Sequence, residues 1–188
     1  MVYNNVLKRE IPEGWEVNTV GEFSNVKKGT LITEKNAKTN GSVKVVSAGI
    51  GFSYFHDKSN FPANTITVSA SGANAGFVNF WREPIFACDC TTIRGENDYA
   101  TFYILQFLKS VQEFIYSQAH GSAQPHVYPK DIENLEIVLP TKKILEQFGK
   151  AIIQMNDKIT NDQQQNQQLT QLRDWLLPML MNGQVTVK

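Results

Sequence analysis

A regular repeat of apolar positions runs through the last quarter of the chain, with alternating spacings of three and four residues. The repeat begins at Leu145 and ends at Leu180, and eight of its eleven positions are apolar. Its 3.5-residue period is that of a coiled-coil seam, and it is longer than the apolar stripe of an ordinary globular helix. The pattern predicts one long helix whose seam packs against a partner. The predicted seam residues are Leu145, Phe148, Ile152, Met155, Ile159, Asn166, Leu169 and Leu176.

Polar residues interrupt this seam and bear on how the helix pairs. Asp162, Asn166 and Arg173 occupy seam positions, where polar groups are suited to fixing the register of an antiparallel pair. The Gln-rich stretch 161–168 has two interpretations, a disordered low-complexity segment or a helix with a polar middle. We favour the helix, because the stretch keeps the heptad register and glutamine is a fair helix former. Pro178 is predicted to end or kink the helix.

The first 140 residues have shorter patterns, which are typical of a globular domain built from sheets and helices. A β-branched run and a second apolar run flank the small-residue turn 70–76, and this arrangement predicts a hairpin. We predict an α+β fold, with a mixed-sheet globular domain in 1–140 and a long helix with a C-terminal tail in 141–188. A helix folded back on its own globular domain is the alternative to a paired helix. The predicted strands are 43–48, 65–69, 77–81, 85–93 and 136–139, and the predicted helix of the globular domain is 98–117.

Composition places the chain among folded proteins. It has 188 residues, 41% of them hydrophobic, which suits one domain of ordinary size with an appendage. Apolar runs of about 18 residues and an N-terminal signal segment are absent from the sequence, so we expect a cytoplasmic protein without membrane association. The net charge is zero. This argues against holding nucleic acid by bulk charge alone, but it allows a local basic patch or a more basic partner.

Three polar loops carry the side chains best suited to recognition. The loop 27–44 contains five lysines against one acidic residue, Glu34, so it can donate hydrogen bonds to phosphates through lysine and backbone N–H groups. The loops 71–79 and 120–128 add serine, asparagine, glutamine and histidine side chains, which suit hydrogen-bonding recognition better than catalysis. An ordinary solvated surface loop is the alternative interpretation of the basic stretch.

Catalytic and metal-binding chemistry has little support in the sequence. Cys88 and Cys90 lack further ligands at zinc spacing, and we interpret them as small buried residues on a strand. The serines and cysteines stand in no signature that pairs them with a histidine and an acid. The stretch 72–76 lacks the Lys-Ser/Thr and the following helix of a phosphate-binding loop. We therefore predict neither a catalytic residue nor a metal site.

Several motifs, taken in order along the chain, resemble those of one known family. They are 11–16 (IPEGWE), 68–76 (VSASGANAG), 121–127 (GSAQPHV), 135–140 (LEIVLP) and 172–185 (LRDWLLPMLMNGQV). The fourth of these leads into the long helix, which has an early Glu146-Gln147 pair. In these features the chain is similar to the specificity (S) subunits of bacterial type I restriction–modification enzymes, and to about half of one such subunit.

The resemblance implies a function in DNA recognition. Members of this family usually carry two target recognition domains, each followed by a helix, and the two helices pair antiparallel and hold the domains apart. Each domain recognises one half of a split double-stranded DNA site. The subunit has no catalytic residues of its own. It binds two methyltransferase (M) subunits, which methylate adenine from S-adenosylmethionine, and the motor-nuclease restriction (R) subunits join them. S-adenosylmethionine, ATP and Mg are therefore expected on the partner subunits, and no cofactor on this chain.

This chain departs from the family pattern, because it has one recognition domain and one helix. We expect it to homodimerise, which would restore two domains and a two-fold symmetric site. The alternatives are pairing with a different half-length subunit, or an origin as a fragment or rearrangement product of a longer gene. A helix over 144–177 would be about 50 Å long at 1.5 Å per residue. That length spans about 15 base pairs along the DNA axis, which suits a spacer between half-sites.

The resemblance does not supply the DNA contacts, so we assign them by side-chain chemistry. Phosphate contacts are expected from Lys27, Lys28, Lys35, Lys38 and Lys44, and base contacts from Thr30, Asn36, Asn74, Arg94, Gln124 and His126. Two other classes stay open, a coiled-coil interaction protein whose globular domain binds protein or carbohydrate, and a small hydrolase. The first would show no salt-dependent DNA binding, and the second would need a nucleophile–base pair in a pocket.

Overall fold

The computed structural model describes residues 1–4, 7–33, 35, 41–121 and 124–184. It has the predicted α+β fold, and the chain forms two compact units, Met1–Lys150, which we call the head, and Ala151–Lys188. The strands are β1 (Val2–Asn4), β2 (Arg9–Ile11), β3 (Glu16–Thr19), β4 (Ser24–Lys28), β5 (Val43–Val46), β6 (Phe52–His56), β7 (Thr65–Ser69), β8 (Val78–Trp81), β9 (Ile85–Ala87), β10 (Cys90–Gly95) and β11 (Glu136–Leu139). The helices are α1 (Val20–Phe23), α2 (Asp98–Ser110), α3 (Gln112–Ser117), α4 (Pro129–Glu133) and α5 (Lys142–Met181), with a short 3-10 turn at Gly72–Asn74.

The core of the head lies on an antiparallel four-stranded sheet of order β4-β10-β7-β8. Every residue of β7 is buried, including threonines whose hydroxyl groups need hydrogen-bond partners away from water. Thr67 Oγ1 accepts from the indole nitrogen of Trp81 at 2.8 Å, and the Thr65 hydroxyl donates to the carbonyl of Pro62 at 2.7 Å. The predicted strand 65–69 and the predicted hairpin to β8 are therefore confirmed.

The predicted strand 85–93 is wrong in one respect, because it is two strands in different sheets. β9 pairs in parallel with β5 in a three-stranded sheet of order β6-β5-β9, whereas β10 pairs with β4 and β7. Cys88 and Asp89 make the transition between the two sheets. The apolar run is continuous in the sequence because both strands are largely buried.

Two smaller antiparallel ladders complete the sheets. β11 occupies the predicted residues 136–139 and pairs with β3, and β1 pairs with β2. Between β3 and β4, helix α1 begins with a capping box in which Thr19 Oγ1 accepts from the Glu22 N–H and Glu22 Oε2 accepts from the Thr19 N–H. Such reciprocal bonds satisfy donors that a helix start otherwise leaves free.

The predicted helix 98–117 is also divided, into α2 and α3 at Val111. The helix starts as expected, because the Asn97 side chain accepts from the Ala100 N–H at 2.9 Å and caps it. At the break, Gln112 turns its side-chain amide towards the hairpin. Its Nε2 donates to the Gly76 carbonyl at 2.7 Å, and its Oε1 accepts from the Val78 N–H at 3.0 Å. These two hydrogen bonds to the hairpin occur where the helix is interrupted, although the apolar pattern of the sequence predicts one continuous helix.

Helix α5 has 40 residues, or about 60 Å at 1.5 Å per residue. The Gln-rich stretch 161–168 is helical throughout. The first turns of α5 belong to the head, where the Phe148 ring packs edge-on against Tyr103 with centroids 5.9 Å apart. A Cβ at Gly149 would lie 2.6 Å from the Tyr99 Cβ, so the backbone of α5 lies against the Tyr99 side chain too closely for any larger residue. For this reason the compact units divide after Lys150, whereas the predicted domains divide after residue 140.

Pro178 was predicted to end or kink α5, and the first of these outcomes is wrong, because the helix continues to Met181. A proline inside a helix has a helical φ, but it lacks an N–H and its ring crowds the carbonyl of the fourth residue before it. Here the helix continues for only three residues beyond Pro178. The helix ends instead at Gly183, which has a φ of +66°. The Gly183 N–H donates to the Leu180 carbonyl and the Gln184 N–H to the Met179 carbonyl, which is the Schellman pattern of helix termination.

Large apolar side chains are exposed along the second unit. Met155, Ile159 and Leu169 from the predicted seam are 62%, 43% and 61% exposed. Leu172 and Trp175 are exposed close to the helix end. Among the helices in the described residues, none combines the length and apolar character that crossing a lipid bilayer requires.

Candidate nucleic-acid interface

One end of the four-stranded sheet gathers side chains from three distant parts of the sequence. The Gly29 N–H, just beyond β4, donates to the Cys90 carbonyl at the start of β10. The Ser71 hydroxyl, just beyond β7, donates to Asp89 Oδ2 at 2.5 Å. Ser71 also forms a backbone bridge with His126. We call this region the sheet-end surface, and it comprises Lys27, Lys28, Thr30, Ser71, Asn74, Asp89, Gln124 and His126.

The basic part of the sheet-end surface is anchored by backbone hydrogen bonds. Lys27 and Lys28 are exposed at the end of edge strand β4. The Thr30 N–H donates to the Ala87 carbonyl at 2.9 Å, and the Ile32 carbonyl accepts from the hydroxyl of Tyr54 at 2.9 Å. These bonds fix the backbone that follows the two exposed lysines, whose side chains are accessible to an anionic partner.

The hairpin tip carries Asn74 to the same surface. The Gly72 N–H donates to the Pro125 carbonyl at 3.0 Å, so the tip lies against the segment that carries Gln124 and His126. Asn74, Gln124 and His126 were predicted from separate loops, and the structure brings the backbones of these loops into contact. The hydroxyl of Ser71 is bound to the Asp89 carboxylate, which is not the Ser–His pair that nucleophilic hydrolysis needs.

A ring cluster made by His120, His126 and Tyr128 lies beside this tip. The Tyr128 ring lies near both imidazoles, with ring centroids 6.0 Å from His120 and 6.2 Å from His126. Tyr128 is 54% exposed. Sequence reasoning missed Tyr128, and a signal was available, since an aromatic residue directly before Pro129 interrupts a polar loop.

Other predicted contact residues lie elsewhere in the head. Lys44 is in the three-stranded sheet, where its Nζ lies 2.5 Å from Glu83 Oε1. Arg94 is at the opposite end of β10, in a cavity of about 740 Å³ that Glu22, Glu96 and Glu133 also line. These carboxylates make the cavity unfavourable for phosphates. Lys35 is exposed, and the predicted contacts Asn36 and Lys38 lie outside the described residues.

Both cysteines are buried and free. The predicted burial is confirmed, but Cys88 lies between β9 and β10 and only Cys90 is on a strand. Burial raises the pKa of the Cys90 thiol to about 12, so it remains protonated and unreactive near neutral pH. Within the described residues, no three histidine, cysteine or acidic side chains form a group that could hold a metal ion.

The predicted seam residues differ in burial along α5. Phe148 packs against Tyr103, and Leu145 lines a cavity of about 670 Å³ in the head together with Tyr99 and Leu139. These two positions therefore serve the head. Ile152 and Leu176 are half-buried and Asn166 is exposed, so the more accessible part of the seam begins at Met155.

The chain thus combines a mixed-sheet head, whose sheet-end surface carries lysine, amide, hydroxyl and imidazole side chains, with a long helix. Residues 12–171 match the family described as "Type I restriction modification DNA specificity domain". That match covers most of the chain, and the chain belongs to this family.

Comparisons with individual proteins agree with this membership. The chain is 28% identical to the type I restriction enzyme MjaIX specificity subunit of Methanocaldococcus jannaschii, over 100% of the chain and 48% of that protein. It is 23% identical to the HindI specificity subunit of Haemophilus influenzae, over 93% of the chain and 42% of that protein. The chain thus spans about half the length of the relatives it matches.

Solved structures show the same fold. The type I restriction–modification system S subunit from M. genitalium superposes with a TM-score of 0.72 at 21% identity, covering 91% of this chain and 47% of that one. The HsdS subunit from Thermoanaerobacter tengcongensis superposes with a TM-score of 0.59 at 13% identity, covering 81% of this chain and 40% of that one. At these identities the likeness concerns the fold.

Proposed function

We propose that this chain is a non-catalytic specificity subunit with one recognition head, which binds one half of a split double-stranded DNA site. The observation that carries the proposal is the family match over residues 12–171. The sheet-end surface supports it, because lysines suited to phosphates stand beside amide, hydroxyl and imidazole groups suited to base edges. Because the whole chain is electrically neutral, this local arrangement and a partner protein would supply the affinity.

We also propose that two copies of this chain pair through α5. The exposed seam residues Met155, Ile159 and Leu169 support an antiparallel pair of α5 helices. Full burial of one large apolar side chain contributes about 1.5–3 kcal/mol, so several such contacts favour association. A two-fold dimer presents two identical heads. Pairing with a different half-length subunit uses the same helix face and is the second arrangement that α5 allows.

The length of α5 suits a spacer between two half-sites. A helix of about 60 Å extends along about 18 base pairs of DNA. In this proposal, methyltransferase and restriction subunits bind the DNA-bound dimer and supply the catalysis. S-adenosylmethionine, ATP and Mg belong to those subunits, and the methyltransferase extrudes the target adenine. All of this takes place in the cytoplasm, where the DNA is.

The test is to co-express the chain with the adenine methyltransferase subunit of a type I system and to map methylated adenines by long-read sequencing. A palindromic split motif is expected, because two identical heads recognise inverted half-sites. The same methyltransferase without this chain is the control and should leave the motif unmodified. No new motif, with a folded chain bound to an active methyltransferase, would contradict the proposal.

The alternative of a coiled-coil protein whose head binds protein or carbohydrate gives a different result in a direct binding assay. A DNA-specificity subunit in complex with its methyltransferase should bind duplex DNA with an affinity that falls as salt rises. A head for protein or carbohydrate should not.

A further inference from the structure

The ring cluster of His120, Tyr128 and His126 is held by its backbone on several sides. His120 and His126 exchange a pair of N–H to carbonyl hydrogen bonds, both of 2.8 Å. The buried Val127 donates its N–H to the Ala70 carbonyl at 3.0 Å. The Tyr128 N–H donates to Asp131 Oδ2 at 2.7 Å. The cluster is therefore fixed to the hairpin tip and to the start of α4.

An exposed aromatic ring in such a fixed position is preorganised for a ligand. Tyr128 has 54% of its surface exposed although its ring lies within 6.2 Å of both imidazoles, measured between ring centroids. Binding at a fixed ring avoids the entropy loss of ordering a mobile side chain. The cluster is also continuous with the sheet-end surface, because His126 forms a backbone bridge with Ser71.

The charges next to the ring cluster favour contact with a base edge over contact with a phosphate. The carboxylate of Asp131 lies 3.6 Å from His120 Nε2, and that of Asp89 accepts from the Ser71 hydroxyl. Two carboxylates at these places repel phosphate oxygens. Base edges do not carry this charge, and the amino groups of cytosine and adenine donate hydrogen bonds to such acceptors.

We propose that the ring cluster is a specificity element, in which Tyr128 contacts a base edge of the recognised half-site while the lysines of β4 contact the phosphates. This inference rests on the proposed function and adds one named determinant to it. Contact with a base predicts a change of the recognised sequence at one position, whereas contact with the backbone predicts weaker binding of every sequence.

The experiment uses the full chain co-expressed with the methyltransferase subunit, and compares wild type with Tyr128→Ala, Tyr128→Lys and Tyr3→Ala. Tyr3 is 59% exposed on β1, so it is a matched control for the loss of an exposed tyrosine. The readouts are the methylated motif and the affinity for a duplex that carries the wild-type motif. A thermal melt of each complex establishes that the variants are folded.

Both Tyr128 variants are expected to relax the motif at one position of each half-site. Tyr128→Ala is expected to weaken binding of the wild-type duplex about tenfold, which is the size of one good base contact. Tyr3→Ala should match wild type in both readouts. An unchanged motif with folded Tyr128→Ala would overturn the inference, and so would uniformly tighter binding of all sequences by Tyr128→Lys. If wild type itself methylates no motif, the proposed function has failed instead.

Discussion

The amide of Gln112 links the division of a helix to the placement of the hairpin tip, and removing that amide should destabilise the head. Its Nε2 donates to the Gly76 carbonyl at 2.7 Å and its Oε1 accepts from the Val78 N–H at 3.0 Å. Methionine keeps the length of the side chain and removes both bonds. Each buried backbone group left without a partner costs about 1–3 kcal/mol. Val78 is buried, so Gln112→Met should cost about 2–4 kcal/mol.

That loss should appear in both denaturant and thermal unfolding. For a chain of this size it should lower Tm by roughly 5–15 °C. Gln106→Met is the matched control, because Gln106 is exposed on α2, and surface substitutions usually stay within about 0.5 kcal/mol. A Gln112→Met variant as stable as the control would show that the two hydrogen bonds do not stabilise the hairpin.

The variant Gln112→Glu gives a second test, because the direction in which its stability changes with pH can be predicted. In Gln112→Glu the ionised carboxylate still accepts from the Val78 N–H, but it has no proton for the Gly76 carbonyl. The folded state therefore favours the protonated acid, and the pKa of the introduced carboxyl rises above its ordinary value of about 4.3. Relative to wild type, the variant should be least stable near pH 7 and should recover as pH falls through that raised pKa. A stability difference independent of pH would refute the reasoning.

Three further predictions concern the helix, the basic strand end and the buried thiol. Ile159→Asp places a charge in the exposed seam and should abolish dimers in sedimentation while the head stays folded, and Gln164→Asp on the same helix should not. Lys28→Gln should reduce the salt dependence of DNA binding by about one counterion without changing the motif. Because burial raises the pKa of Cys90 to about 12, a thiol reagent at pH 8 should label Cys90 only after unfolding, and rapid labelling of the native protein would contradict this.

The sequence by itself determined the features that depend on local periodicity. The heptad repeat predicted α5, including its glutamine-rich stretch, because a helix shows its buried face every three or four residues. The strands 65–69 and 136–139 were located to the residue, because a β-branched run and a closing Pro140 are short-range signals. The hairpin turn was likewise predicted from its turn residues, and the burial of the two cysteines from their small size.

Only the tertiary structure decided where local patterns end and which residues meet. The apolar run 85–93 does not show that its two halves belong to different sheets, and the helix 98–117 does not show that Gln112 bonds to Gly76. A heptad pattern predicts which face of a helix is buried, but not which residues pack against it. The contact between Phe148 and Tyr103 could therefore not be predicted from the sequence. Strand register joins residues that are far apart in sequence, and it alone brings Lys28, Asp89, Ser71 and His126 to one end of a sheet. Such contacts depend on backbone pairing over long separations, which periodicity along the chain does not encode.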